Sequence, residues 1–126
     1  MPLVRVELPA SKPSEYRAAV GKAIQQAMHA ALKVPLEERF HIFTEHAPAD
    51  LVIDPTYLGI ERSADALIIQ LFLNEGRTVE MKKAFYKAVA DGLHDRVGLR
   101  REDVFISLVE VKKENWSFGN GVAQYA

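Results

Sequence analysis

Apolar residues alternate with polar ones over residues 2–8: Pro2, Val4, Val6 and Leu8 fall on one side, Arg5 and Glu7 on the other. That two-residue period predicts a strand with one buried face. Further on, Tyr16, Ala19, Val20, Ala23, Ile24, Ala27 and Met28 recur at helical spacing and form a single apolar stripe. The same succession then returns. Residues 67–73 are apolar on both faces, as expected of a central strand. Met81, Ala84, Phe85, Ala88, Val89, Gly92 and Leu93 form a second helical stripe. Residues 39–45 and 104–111 read as the strands that follow each helix.

The two halves match residue for residue at an offset of 65. Glu15 corresponds to Glu80, Lys22 to Lys87, Ala23 to Ala88, His29 to His94, Glu37 to Glu102, Phe40 to Phe105 and Glu45 to Glu110. A repeat of this length is a supersecondary unit, here strand–helix–strand, with a crossover long enough for parallel pairing. The expected fold is α+β: one domain over residues 1–126, halves of about 1–63 and 64–126, and a four-stranded, mainly parallel-paired sheet with two helices on one face. The small residues at 23, 27, 88 and 92 allow close helix–sheet approach. The insert over residues 47–63 is turn-rich around Asp54-Pro55, and Gly119-Asn120-Gly121 predicts a turn or short hairpin in the tail. No helix remains to cover the second sheet face, which predicts an oligomer.

Composition narrows the function. The 126 residues are 48% hydrophobic and 26% charged, with a net charge of -1. This is an ordinary globular balance without the basic stripe of a nucleic-acid binder. There is no cysteine, which removes disulfides, thiolate metal ligands and thiol nucleophiles. The four histidines show no metal-ligand spacing, so no metal site is expected. The longest apolar run, residues 66–73, is interrupted by Gln70 and is far short of the ~20 residues of a membrane span. The first residues show no signal-peptide pattern, so a cytoplasmic location is expected.

Particular motifs point further: Met1-Pro2 opening the first strand; Val34-Pro35 ahead of Glu38-Arg39-Phe40; Leu58-Gly59 with Arg62-Ser63; Glu75-Gly76-Arg77 before the second helix; and Trp116-Ser117-Phe118-Gly119-Asn120-Gly121. In this order, on a duplicated βαβ frame, they resemble the tautomerase superfamily, in particular its malonate semialdehyde decarboxylase-like branch. The resemblance spans nearly the whole chain. It implies a trimer, no metal or organic cofactor, and a catalytic Pro2 set in an apolar pocket at a subunit contact. It also implies a small carboxylate substrate.

The residues suit that chemistry. A proline nitrogen is a base only at a chain terminus, so removal of Met1 is required. A free α-amino group has a pKa of roughly 7.7–8.0, which desolvation and a nearby cation lower. A high pKa would make Pro2 an acid instead, and the sequence leaves that choice open. Arg77 precedes Thr78, a plausible N-cap, so it reads either as a solvated helix-start arginine or as a bidentate clamp on a carboxylate. Glu38 falls where the decarboxylase-like enzymes carry an acid; its residues alone read equally as a charged loop. Trp116 and Phe118 alternate along the tail, as pocket wall or as staples to the core, and Tyr125 closes the pocket. Asn74 stands where the related branches carry an arginine, so one cation of a pair is lost. His29 lies one position from a catalytic-type histidine of the dehalogenase branch, but its repeat partner His94 favours a structural role. The leading expectation is a keto–enol tautomerase acting on small 2-oxo acids through Pro2, with Arg77 and Glu38 as further catalytic residues and Asn74, Trp116, Phe118 and Tyr125 binding substrate. A malonate semialdehyde decarboxylase-like decarboxylase or hydratase is the alternative, and a non-catalytic binding trimer is the third.

Overall fold

A computed structural model describes residues 2–126; Met1, on whose removal the free amine depends, lies outside the described residues. Four strands and two long helices follow in the order β1 (Leu3–Pro9), α1 (Ser14–Leu32), β2 (His41–His46), β3 (Leu67–Asn74), α2 (Val79–Val97) and β4 (Val104–Val111). The helices are both 19 residues long, and their first residues, Ser14 and Val79, are 65 positions apart. The repeat read from the sequence is therefore kept without slippage in three dimensions. The first post-helix strand starts two residues later than its alternation suggested, at His41.

The sheet order is β2-β1-β3-β4. β1 pairs parallel to β2 and β3 parallel to β4, while the two halves join through antiparallel β1 and β3. At that join Arg5 lies opposite Gln70, its own counterpart at the 65-residue offset, so a local two-fold axis passes between them. This places the starts of β1 and β2 at the same edge of the sheet as the ends of β3 and β4.

The core forms on one face. Val4, Val6, Leu8, Leu67, Ile69, Leu71 and Leu73 are buried against Val20, Ile24, Met28 and Leu32 of α1 and Phe85, Val89 and Leu93 of α2. Small residues let the helices meet: a Cβ added at Gly92 would lie 3.5 Å from the Ala23 Cβ. The opposite face has no helix over it. Its Ile42, Phe105 and Val109 are exposed, while Leu3, Ile68 and Phe72 are half-buried. Among the described residues no helix is long and apolar enough to cross a membrane.

Beyond β4 the tail forms a short 3₁₀ turn at Lys113–Asn115 and then a loop in which Gly119-Asn120-Gly121 forms the expected turn, the Val122 N–H donating to the Gly119 carbonyl at 3.4 Å. Gln124 closes that loop: its Oε1 accepts from the Phe118 N–H at 3.0 Å and its Nε2 donates to the Gly119 carbonyl at 2.9 Å. The insert is held by Arg62, whose guanidinium donates to the carbonyls of Asp54, Tyr57 and Ile60.

The repeat exposes one local weakness. Both helices end in a left-handed residue, Gly98 at φ 68° and Lys33 at φ 61°. That conformation costs an L-residue roughly 1–2 kcal/mol, partly offset by the greater flexibility glycine would bring to the unfolded chain. Lys33→Gly is expected to raise stability by about 0.5–1 kcal/mol, measured by urea denaturation; a loss of stability would contradict this reading of the cap.

Candidate active site

Pro2, Leu3, Phe40, Trp116, Ser117 and Phe118 line a cavity of about 270 Å³ at the shared sheet edge. Pro2 is buried there, one residue ahead of β1. Phe40 is brought in from the other chain segment because its carbonyl accepts the Val4 N–H at 2.9 Å, extending the β1–β2 ladder by one bond. The aromatic wall is ordered. Trp116 and Phe118 stack with centroids 5.5 Å apart and planes 16° apart. Phe118 also packs near Phe40, at 6.5 Å, and edge-on to Tyr125, at 5.0 Å. Tyr125 thus backs Phe118; it is not one of the residues lining the cavity.

Asn74 anchors this wall. Its side-chain oxygen accepts the Trp116 indole N–H at 2.7 Å, and the residue is only 9% exposed. An indole N–H in a buried setting needs such a partner. The asparagine that replaces the expected arginine therefore ties the tail to the end of β3. Its amide N–H₂ remains the group available to a ligand.

Arg77 lies three residues on, after Gly76, whose φ of 122° suits glycine and carries the chain out of β3. Thr78 caps α2 as expected, its hydroxyl accepting the Met81 N–H at 3.2 Å. The Arg77 guanidinium is half-buried and donates to the Asn74 carbonyl at 3.2 Å and the Leu32 carbonyl at 3.3 Å. A guanidinium carries five N–H donors in a planar fork, so its two bonds to backbone orient it and leave others for an anion. Arg77 does not line the Pro2 cavity; the two are linked through Asn74 and Trp116.

Glu38 sits on the loop between α1 and β2, and no hydrogen bond or ion pair engages its carboxylate among the described residues. Its backbone is held by a residue absent from the sequence expectation, Gln25. Gln25 is 1% exposed, and its amide N–H₂ donates to the carbonyls of Pro35 at 3.2 Å, Leu36 at 3.2 Å and Glu38 at 2.7 Å. Its oxygen bonds His41 Nε2 at 2.9 Å, and because that oxygen only accepts, His41 Nε2 is the protonated nitrogen. The sequence carried a signal for this. Gly21, Gln25, Met28 and Leu32 are all buried and share one face of α1, so a polar residue there had to find buried partners. His29 Nδ1 bonds the Val34 carbonyl at 2.9 Å beyond the helix end. Among the described residues no group of three His, Asp or Glu side chains comes together to hold a metal ion.

The repeat also produces a counterpart at the opposite edge of the sheet. There a cavity of about 340 Å³ is lined by Pro9, His46, Leu51, Ile53 and Ala66 among others. Leu51 and Ile53 stand 65 residues before Trp116 and Phe118. Pro2, however, corresponds to Leu67, a mid-chain residue whose nitrogen is an amide.

Comparison with known proteins agrees with this geometry. Two family models, both describing a tautomerase enzyme, match residues 38–119 and residues 2–60. The chain is 36% identical to the probable tautomerase YusQ of Bacillus subtilis (strain 168), over 98% of each chain. It superposes on the FG41 malonate semialdehyde decarboxylase inhibited by 3-bromopropiolate with a TM-score of 0.91 and 36% identity, covering 98% of this chain and 93% of that one. A fused 4-OT symmetric trimer matches with a TM-score of 0.78 and 26% identity, over 95% and 94% of the two chains.

Two outcomes test the polar hub. Gln25→Leu leaves the Leu36 and Glu38 carbonyls without their donor, and the expected loss is about 1–3 kcal/mol in urea denaturation; an unchanged midpoint would refute the hub. Burial, and then the Arg39 charge, hold the His41 imidazole below its ordinary value. The unfolded chain therefore takes up this proton at higher pH than the folded one. The stability His41 contributes is complete above about pH 6.5 and is lost as pH falls towards the depressed folded pKa. Wild type is expected to lose more stability than His41→Gln between about pH 7.5 and about pH 5.5; parallel losses would contradict this.

Proposed function

The chain belongs to the tautomerase family, and from that premise we propose that the amine of Pro2, freed of Met1, interconverts the enol and keto forms of a small 2-oxo acid. The observation that carries this is the burial of Pro2 in a cavity walled by Phe40, Trp116 and Phe118. Apolar walls disfavour the ammonium form, which keeps a terminal amine available as a base near neutral pH. The nitrogen takes the hydroxyl proton of the enol, and the resulting ammonium delivers a proton to the adjacent carbon, so the sum is an isomerisation. Arg77 binds the substrate carboxylate with the guanidinium N–H groups its backbone partners leave free. The Asn74 N–H₂ is a further donor beside it, and Tyr125 supports Phe118 from behind. The uncovered, largely apolar sheet face supports assembly with copies of the same chain, and the fused 4-OT trimer supports three as the number.

A second reading has its own support. The 36% identity and TM-score of 0.91 to the FG41 malonate semialdehyde decarboxylase favour decarboxylation or hydration of a 3-oxo acid. In that reaction Glu38, on a loop held by Gln25, would orient water or take a proton. Against it stands Asn74, whose position offers no cation to polarise a carboxylate.

The test is phenylenolpyruvate ketonisation, on protein whose intact mass shows loss of one methionine. Pro2→Ala is expected to lower kcat/KM by about 10²-fold or more, and Arg77→Ala to raise KM by roughly 10–100-fold, the worth of a charged hydrogen bond. Equal rates in wild type and Pro2→Ala would sink the tautomerase mechanism. Acetaldehyde formed from malonate semialdehyde, with no ketonisation, would establish the second reading instead.

A further inference from the structure

We propose that Arg5 and Glu7 form an ion pair between neighbouring subunits, the cation of one chain meeting the carboxylate of the next across the uncovered sheet face. The proposal rests on the homo-oligomeric reading above and adds the contact that sets its register. Arg5 and Glu7 are the one cation and the one carboxylate among the strand residues of that face. Around them stand the apolar Leu3, Ile42, Ile68, Phe72, Phe105 and Val109, with His46 and the uncharged Thr44, Gln70 and Ser107 between them. Both are half-buried already in the single chain. Neither is satisfied within it. Arg5 has no ion pair or hydrogen bond among the described residues. Glu7 uses one oxygen on His46, at 2.8 Å, while its Oε2 is buried without any partner. Two residues apart on β1, the two side chains point the same way but do not pair with each other.

Self-association decides what they meet. A face covered by a copy of itself brings only its own groups, so a buried charge must find its opposite in the same short inventory. Among the strand residues of that face the carboxylate offered to Arg5 is Glu7, and the orphaned Oε2 needs a donor. Burying both unpaired carries a desolvation cost that the apolar contacts of the face would have to overcome. In a ring each subunit gives its Arg5 to one neighbour and its Glu7 to the other, so every charge is matched without a two-fold contact.

The experiment is sedimentation velocity on the full-length protein, with circular dichroism as a check on folding. Wild type is expected at three times the chain mass. Arg5→Glu and Glu7→Arg are each expected to fall threefold, to the single-chain mass. The double variant R5E/E7R is expected to regain the larger species. Should a charge reversal prevent folding, R5M/E7Q serves in its place: with both charges removed together, assembly is retained, whereas R5M alone, which leaves Glu7 buried and unpaired, weakens it. Single reversals that keep the wild-type mass overturn the pair, and if they only raise KM, Arg5 is a substrate contact instead. Failure of R5E/E7R to assemble also overturns it. A monomeric wild type removes the oligomeric reading itself, a result separate from failure of the swap.

Discussion

The antiparallel join between β1 and β3 is the constraint on which the rest depends. Each half makes a parallel strand pair through a helical crossover, which by itself puts the end of the first strand and the end of the second at the same edge. Joining the halves antiparallel, with Arg5 against Gln70, reverses one pair relative to the other. The start of the chain and the segments leaving β3 and β4 then meet. Pro2, Phe40, Asn74 and Trp116 are far apart in sequence and reach one edge only because of that reversal. A parallel join would have left Pro2 and Phe40 without Asn74, Trp116 and Phe118.

The same symmetry explains why one edge is chemically special. Duplication creates two similar hollows, but a chain has one beginning. At the Pro2 edge the nitrogen becomes an amine once Met1 is removed; at the other, the backbone runs on through Ala66 into Leu67. The aromatic pair Trp116 and Phe118 is matched there by Leu51 and Ile53, which have no N–H to anchor to the sheet. Divergence between the halves has concentrated stacking and hydrogen bonding where a reactive amine is possible.

Buried polar groups then give the site its rigidity. Trp116 is fixed by Asn74, Arg77 by two carbonyls, and the Glu38 loop by Gln25 and His41. Each is a side chain satisfying a group that burial would otherwise leave unpaired, and such groups are costly enough to select one arrangement. The uncovered face follows the opposite logic. Its Glu7 oxygen has no partner within the chain, so the single subunit is incomplete on that side.

Local pattern carried the fold. The helical stripes, the alternation in the first strand and the 65-residue repeat depend on neighbours a few positions apart, and all are recovered, with Thr78 capping the second helix as its position suggested. The motifs at Pro2, Trp116 and Phe118 were legible too, because each is a short string read directly from the sequence. What tertiary structure decided was partnership. Nothing near Asn74 in sequence says that it holds an indole 42 residues away, and the helix face of Gln25 says that it needs buried partners but not that they lie on a loop 13 residues on. A hydrogen bond links whichever donor and acceptor the packed backbone leaves facing each other. That depends on strand direction and on which helix face is covered, and so it became visible only once the chain was folded.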